Sequence, residues 1–141
     1  MYGMSAKDKY HNIVRAALEK EGWTITDDPL ILKAHGRNIQ IDLGAEQLIG
    51  AERANEKIAV EIKSFIGLSV LTDFYLALGQ FLYYQLALEK EDPERQLFLA
   101  VPDIAYENFF SETLTIEALE RSKAKVVVYS VRNEAFVLWR K

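Results

Sequence analysis

The stretch from Ser69 to Glu91 most constrains what this chain can fold into. Val70, Leu71, Phe74, Leu76, Leu78, Phe81, Leu82 and Leu86 leave almost no polar side around a helix of that length. A helix that is apolar all round is usually buried, here against a sheet. Pro93 stands just past its end. Leu97-Phe98-Leu99-Ala100-Val101 is then a continuous apolar run closed by Pro102, the pattern of an interior strand covered on both faces. A buried helix leading into an inner strand predicts an α/β fold.

The flanking segments extend that reading. Residues 5–21 form a helix with a modest stripe of Ile13, Ala16, Ala17 and Leu18, stopped at Gly22. Three extended segments follow. Leu30-Ile31-Leu32 comes after Asp28-Pro29, and Ile39, Ile41 and Leu43 alternate with polar or small residues. Ile58, Val60 and Ile62 alternate in the same way, after a turn over 51–55. Beyond the inner strand come a helical patch near 103–110, a helix near 115–122, a strand at Val126–Tyr129 and a last short strand over 135–139. The expected order is α-β-β-β-α-β followed by α-β-β, a mixed sheet flanked by helices. Nothing in the 141 residues reads as a linker or repeat, so one domain is expected, with residues 1–3 outside its core. The chain has no cysteine, which removes disulfides and thiolate metal sites. No apolar run reaches the ~18–20 residues that cross a bilayer. No basic, apolar leader is visible at the start, and a cytoplasmic protein is expected. The net charge of −4, from 21 acids and 17 bases, excludes a generic basic nucleic-acid coat.

The chemical signal lies in Asp42 and Glu61-Ile62-Lys63. Side chains alternate along a strand, so Glu61 and Lys63 share one face and Val60 and Ile62 the other. If strands 39–43 and 58–62 form a hairpin with both apolar sets in one core, the same register brings Asp42 beside Glu61 or Lys63. Strands lie about 4.8 Å apart, so the two carboxylates could share Mg²⁺ or Mn²⁺, with Lys63 orienting a water or offsetting charge on a phosphate. The plainer alternative is a surface salt bridge on the wet face of a half-exposed hairpin.

The helix order and these residues resemble the PD-(D/E)xK nuclease superfamily, with Ile41-Asp42 in the first motif and Glu61-Ile62-Lys63 in the second. Ile41 departs from the name-giving proline. Asp73, Ala77, Gln80 and Tyr84 form one stripe of the long helix, and Gln80-x-x-x-Tyr84 resembles a Gln-x-x-x-Tyr motif of some of these nucleases. The resemblance implies that Gln80 and Tyr84 position the strand; the alternative is a polar group satisfied locally and a core tyrosine. In the first helix, His11 stands near where such proteins often place an acid, either as a metal ligand or as a partly buried polar residue. Phosphate contacts could come from Lys7, Lys9, Arg15, Lys33, Arg37 and Lys57. Tyr106, Phe109 and Phe110 read either as a docking surface or as core of a short amphipathic turn.

The whole chain, from about residue 4 to 140, is similar to the XisH-like family of fdxN element excision controlling factors. The carrying segments include Gly22-Trp23-Thr24-Ile25-Thr26-Asp27-Asp28-Pro29, Ile41-Asp42-Leu43-Gly44-Ala45-Glu46, Ala59-Val60-Glu61-Ile62-Lys63-Ser64-Phe65, Ala77-Leu78-Gly79-Gln80-Phe81 and Glu134-Ala135-Phe136-Val137-Leu138-Trp139. What this implies is a cyanobacterial-type protein assisting programmed excision of a DNA element, beside DNA, a site-specific recombinase and a partner named XisI. An active Mg²⁺-dependent endonuclease is one form of that expectation. An accessory regulator with a vestigial or conditional site is the other, and a nuclease restrained as in a toxin–antitoxin pair would join the two. A homodimer is plausible, since a nuclease domain of this size needs two copies for a double-strand cut.

Overall fold

The first helix is amphipathic, and its apolar side decides where the sheet lies. In the computed structural model, which describes residues 6–34, 37–39 and 48–141, α1 spans Ala6–Lys20 and buries Ile13, Val14, Ala17 and Leu18. The strands that follow are β1 (Thr24–Asp27), β2 (Leu32–Ala34), β3 (Arg37–Ile39), β4 (Leu48–Arg53) and β5 (Glu56–Ile62). Helix α2 runs Val70–Glu91 and leads into β6 (Arg95–Pro102). A short α3 (Asp103–Ala105) continues into a π-helical turn over Tyr106–Phe110, then α4 (Thr113–Ser122), β7 (Val126–Ser130) and β8 (Ala135–Arg140).

Six strands form one mixed sheet in the order β1-β4-β5-β6-β7-β8, while β2 and β3 make a separate pair. The inner strands β5, β6 and β7 run parallel, and the outer pairings are antiparallel. Parallel strands require covered crossovers, which α2 and the α3–α4 segment provide. Both faces are therefore buried. Ala59, Leu97, Leu99, Val101, Val126 and Val128 face Phe74, Phe81, Tyr84 and Leu88 of α2. Ile58, Val60, Ile62, Phe98, Ala100, Val127 and Tyr129 face α1.

Two expectations change here. The expected strand partner of residues 58–62 was 39–43, but β5 pairs with β4, with Ile49 opposite Val60 and Leu48 opposite Glu61. Ile39 instead lies opposite Leu32 in the small sheet. Second, the expected turn over 51–55 is a strand up to Arg53, and the chain reverses at Ala54, whose φ is 52°. The reason is visible at Gly50. A Cβ there would come within 2.9 Å of both Arg95 Nη1 and Asp27 Oδ2. The buried Arg95 guanidinium crosses that position to donate to the Ile58 carbonyl at 2.8 Å, so a side chain at position 50 would have to displace the Arg95 guanidinium or the Asp27 carboxylate. Asp42, His35 and the rest of the expected 39–43 strand lie outside the described residues.

Candidate functional site

The alternation that sends Val60 and Ile62 to α1 sends Glu61 and Lys63 to the face beneath α2. That face is not wet. Glu61 sits in the ladder between Leu48 and Leu99 and is 1% exposed; Lys63 is 6% exposed. A surface salt bridge therefore does not describe the pair, and charge at this depth requires compensating partners. The Lys63 ammonium lies 3.9 Å from Glu61 Oε1 and donates to Gln80 Oε1 on α2.

The backbone of Lys63 is held on both sides. Its N–H donates to the Ala100 carbonyl at 3.0 Å, and its carbonyl accepts from the buried Tyr129 hydroxyl at 2.9 Å. Tyr84, one turn beyond Gln80, is buried on the same stripe. Burial raises its phenol pKa well above the ordinary value, and the negative charge of Glu61 raises it further. The phenol is thus a proton-bearing donor throughout the neutral range. Four of the five residues expected to act together, Glu61, Lys63, Gln80 and Tyr84, are brought together. Asp42, the fifth, lies outside the described residues.

The connection from β5 to α2 is fastened by residues that pattern reading did not single out for that task. Phe65 takes a left-handed φ of 54°, unusual for a bulky side chain, and its ring meets Phe110 edge-on at 5.4 Å. The Gly67 N–H donates to Asp73 Oδ2 at 3.0 Å, and a Cβ on Gly67 would stand 2.6 Å from Asp73 Oδ1. Ser69 caps α2, its hydroxyl accepting from the Thr72 N–H at 3.2 Å. The Asp73 position was legible as part of the Gln80 stripe; its service to the loop was not. Tyr129 carried no signal beyond an apolar strand.

Other expected residues are engaged elsewhere. His11 Nε2 is 2.8 and 3.0 Å from the two carboxylate oxygens of Asp28, which also accepts from Arg15. Lys57 pairs with Asp92 at 3.1 Å. Burial opposes ionisation of Asp92, but hydrogen bonds from Lys57 and Arg95 outweigh it and hold the carboxyl below its ordinary range. Phe109 and Phe110 are buried core around Phe74, not a docking surface. Among the described residues no group of three or more His, Asp or Glu is placed to hold a metal ion. Of the expected metal ligands, Glu61 is the carboxylate the described structure places beside Lys63. None of the described helices is long and apolar enough to cross a membrane.

A mixed six-stranded sheet flanked by helices defines an α/β protein, and the acid and lysine are buried at the carboxyl end of one of its inner strands. The chain belongs to the XisH family, matching the model described as XisH protein over residues 4–137. It is similar to the crystal structure of an XisH family protein from Nostoc punctiforme PCC 73102, with 42% identity and a TM-score of 0.88, covering 95% of this chain and 100% of that one. It is equally similar to an fdxN element excision controlling factor protein from Anabaena variabilis, at 42% identity and a TM-score of 0.87 over 95% of this chain and 99% of that one. No curated protein matches it significantly.

Proposed function

We propose that this chain is an excision controlling factor that acts on DNA through a PD-(D/E)xK-type site. The observation that carries the reading is the buried Glu61–Lys63–Gln80–Tyr84 cluster at the end of β5, under the helix that follows. The order α1, β1, β4, β5, α2, β6 supports it, with β2 and β3 as an addition outside the main sheet. The relative from Anabaena variabilis, named for control of fdxN element excision, supports the biological setting.

In this reading Asp42 and Glu61 would hold Mg²⁺ or Mn²⁺, hard cations suited to carboxylate oxygen. When bound, such an ion neutralises charge on a phosphodiester. The chain's own residues do the rest. Gln80 fixes the direction of the Lys63 ammonium, which offsets charge building on a phosphate oxygen or steadies the attacking water. Tyr84 remains protonated and offers a hydrogen bond toward the strand. The test is DNA cleavage with Mg²⁺ or Mn²⁺, comparing wild type with Lys63→Met confirmed as folded by circular dichroism. Cleavage by the wild type that chelation and Lys63→Met both abolish supports the proposal. A folded wild type inactive on single- and double-stranded DNA, alone and with an XisI-type partner, overturns it.

A second reading has its own observation. Glu61 and Lys63 are almost fully buried, and Arg15 and Lys57 are spent on internal ion pairs. A closed site and a net charge of −4 suit a regulator that meets a recombinase or an XisI-type protein and uses its site conditionally.

A further inference from the structure

Helix α2 is apolar on two sides, and the sheet accounts for only one. Phe74, Ala77, Phe81, Tyr84 and Leu88 point inward. Leu71, Tyr75, Leu82, Tyr83 and Leu86 point outward, with Tyr75, Tyr83 and Leu86 exposed by 64%, 53% and 60%. At 100° per residue these five flank Gly79, which occupies the centre of the outer face. Together they expose on the order of 550 Å², tyrosine hydroxyls included, at the upper end of the ~300–600 Å² of a monomer's largest patch, which is often functional, and about two-thirds of the ~800 Å² per partner of a standard interface.

We propose that this face is a homodimer interface, in which two copies of the chain pack α2 against α2, antiparallel, across a two-fold axis beside Gly79. Three features select a second copy. Glycine is a poor residue for the middle of a helix, and a Cβ at Gly79 would meet nothing within 4 Å, so nothing within the described chain requires it. Close approach of another backbone does. The stripe is also nearly symmetric about that glycine: Tyr75 and Tyr83 stand four residues to either side, and Leu71 and Leu86 stand eight and seven away. A two-fold axis there sets Tyr75 against the partner subunit's Tyr83 and Leu71 against the partner subunit's Leu86, the self-complementarity an isologous interface needs. Finally, Ser69 at the start of α2 and exposed Glu89 in its last turns lie ten residues before and after Gly79. Antiparallel packing brings each positive helix N-terminus beside the negative dipole end of the partner's helix, whose last turn carries Glu89 and Lys90 together.

The test is sedimentation of the full chain over a concentration series, with disulfide capture. The wild type is expected at twice the 16.1 kDa chain mass, and Leu82→Glu/Leu86→Glu, with both changes on exposed side chains, at the single mass with unchanged circular dichroism. The chain has no cysteine, so Gly79→Cys is expected to oxidise to a covalent dimer. A mixture of Tyr75→Cys and Tyr83→Cys should cross-link where neither alone does. A monomeric wild type overturns the proposal, as does a dimer that survives the double glutamate variant. Cross-linking of Tyr75→Cys alone as efficient as the mixture overturns the proposed register.

Discussion

Removing the Lys63 ammonium while leaving Glu61 in place is the perturbation whose size the structure determines best. The ammonium stands 3.9 Å from Glu61 Oε1, with side-chain exposures of 7% and 2%. At an effective dielectric of ~20, unit charges at that separation attract by about 4 kcal/mol. Breaking a buried pair from one side costs about 3–5 kcal/mol, because the remaining charge stays desolvated. Lys63→Met keeps the length and apolar bulk of the side chain, so packing contributes little to the difference. The expected loss is about 4 kcal/mol, or roughly 12 °C in melting temperature for a chain of this size. Urea unfolding at neutral pH measures it, with Glu61→Gln and the double variant completing the cycle. The double variant should recover most of the loss, since no charge is then left buried in the pair. A Lys63→Met loss below about 1 kcal/mol, or a double variant as unstable as the sum of the singles, would refute the buried-pair reasoning.

Three further outcomes follow from particular contacts. Gly50→Ala places a methyl group 2.9 Å from Arg95 Nη1 and Asp27 Oδ2, so equilibrium unfolding should show an overpacking loss of about 1–3 kcal/mol; an unchanged midpoint would show that Arg95 moves freely. Asp92 has a lowered carboxyl pKa in the folded chain, so it contributes stability above its unfolded value of ~3.9 and loses it as pH falls through the folded one. Asp92→Asn should be less stable than wild type at neutral pH, with the gap narrowing on acidification; a pH-independent gap would contradict this. Gln80→Ala removes the acceptor that directs Lys63, and metal-dependent cleavage per folded molecule should fall at least tenfold; loss of stability with unchanged cleavage would reduce Gln80 to a structural role.

The long helix and the inner strand were legible because their composition admits few other fates. Burial on both faces left no polar side on Leu97–Val101. Val70–Glu91, by contrast, is buried on one side only, and its outer apolar residues, Tyr75, Tyr83 and Leu86 among them, are exposed, which the expectation of a helix buried all round did not foresee. The grouping of Glu61, Lys63, Gln80 and Tyr84 was legible as well, since strand and helix periods set which residues share a face. The plain reading of Glu61 and Lys63 as solvated failed because the buried helix covers their face too. The β4 strand was hidden by two small residues, Gly50, which stands against an arginine forty-odd positions away in sequence, and Ala51, which is packed in the core beneath α1. The true strand partner of β5 followed from that: once β4 is a strand, residues 48–53 pair with β5, with Leu48 opposite Glu61. The β1 strand, an edge with alternating half-exposed residues, carried too little apolar signal to stand out.

The central claim is that Glu61, with Asp42, is a divalent-cation ligand. Titration calorimetry with Mg²⁺ and Mn²⁺ on the wild type, Asp42→Asn and Glu61→Gln tests it without requiring any DNA. The account predicts saturable binding of one ion by the wild type and its loss in both variants, each still folded. A folded wild type that takes up neither ion, or one whose binding survives Glu61→Gln, would contradict it.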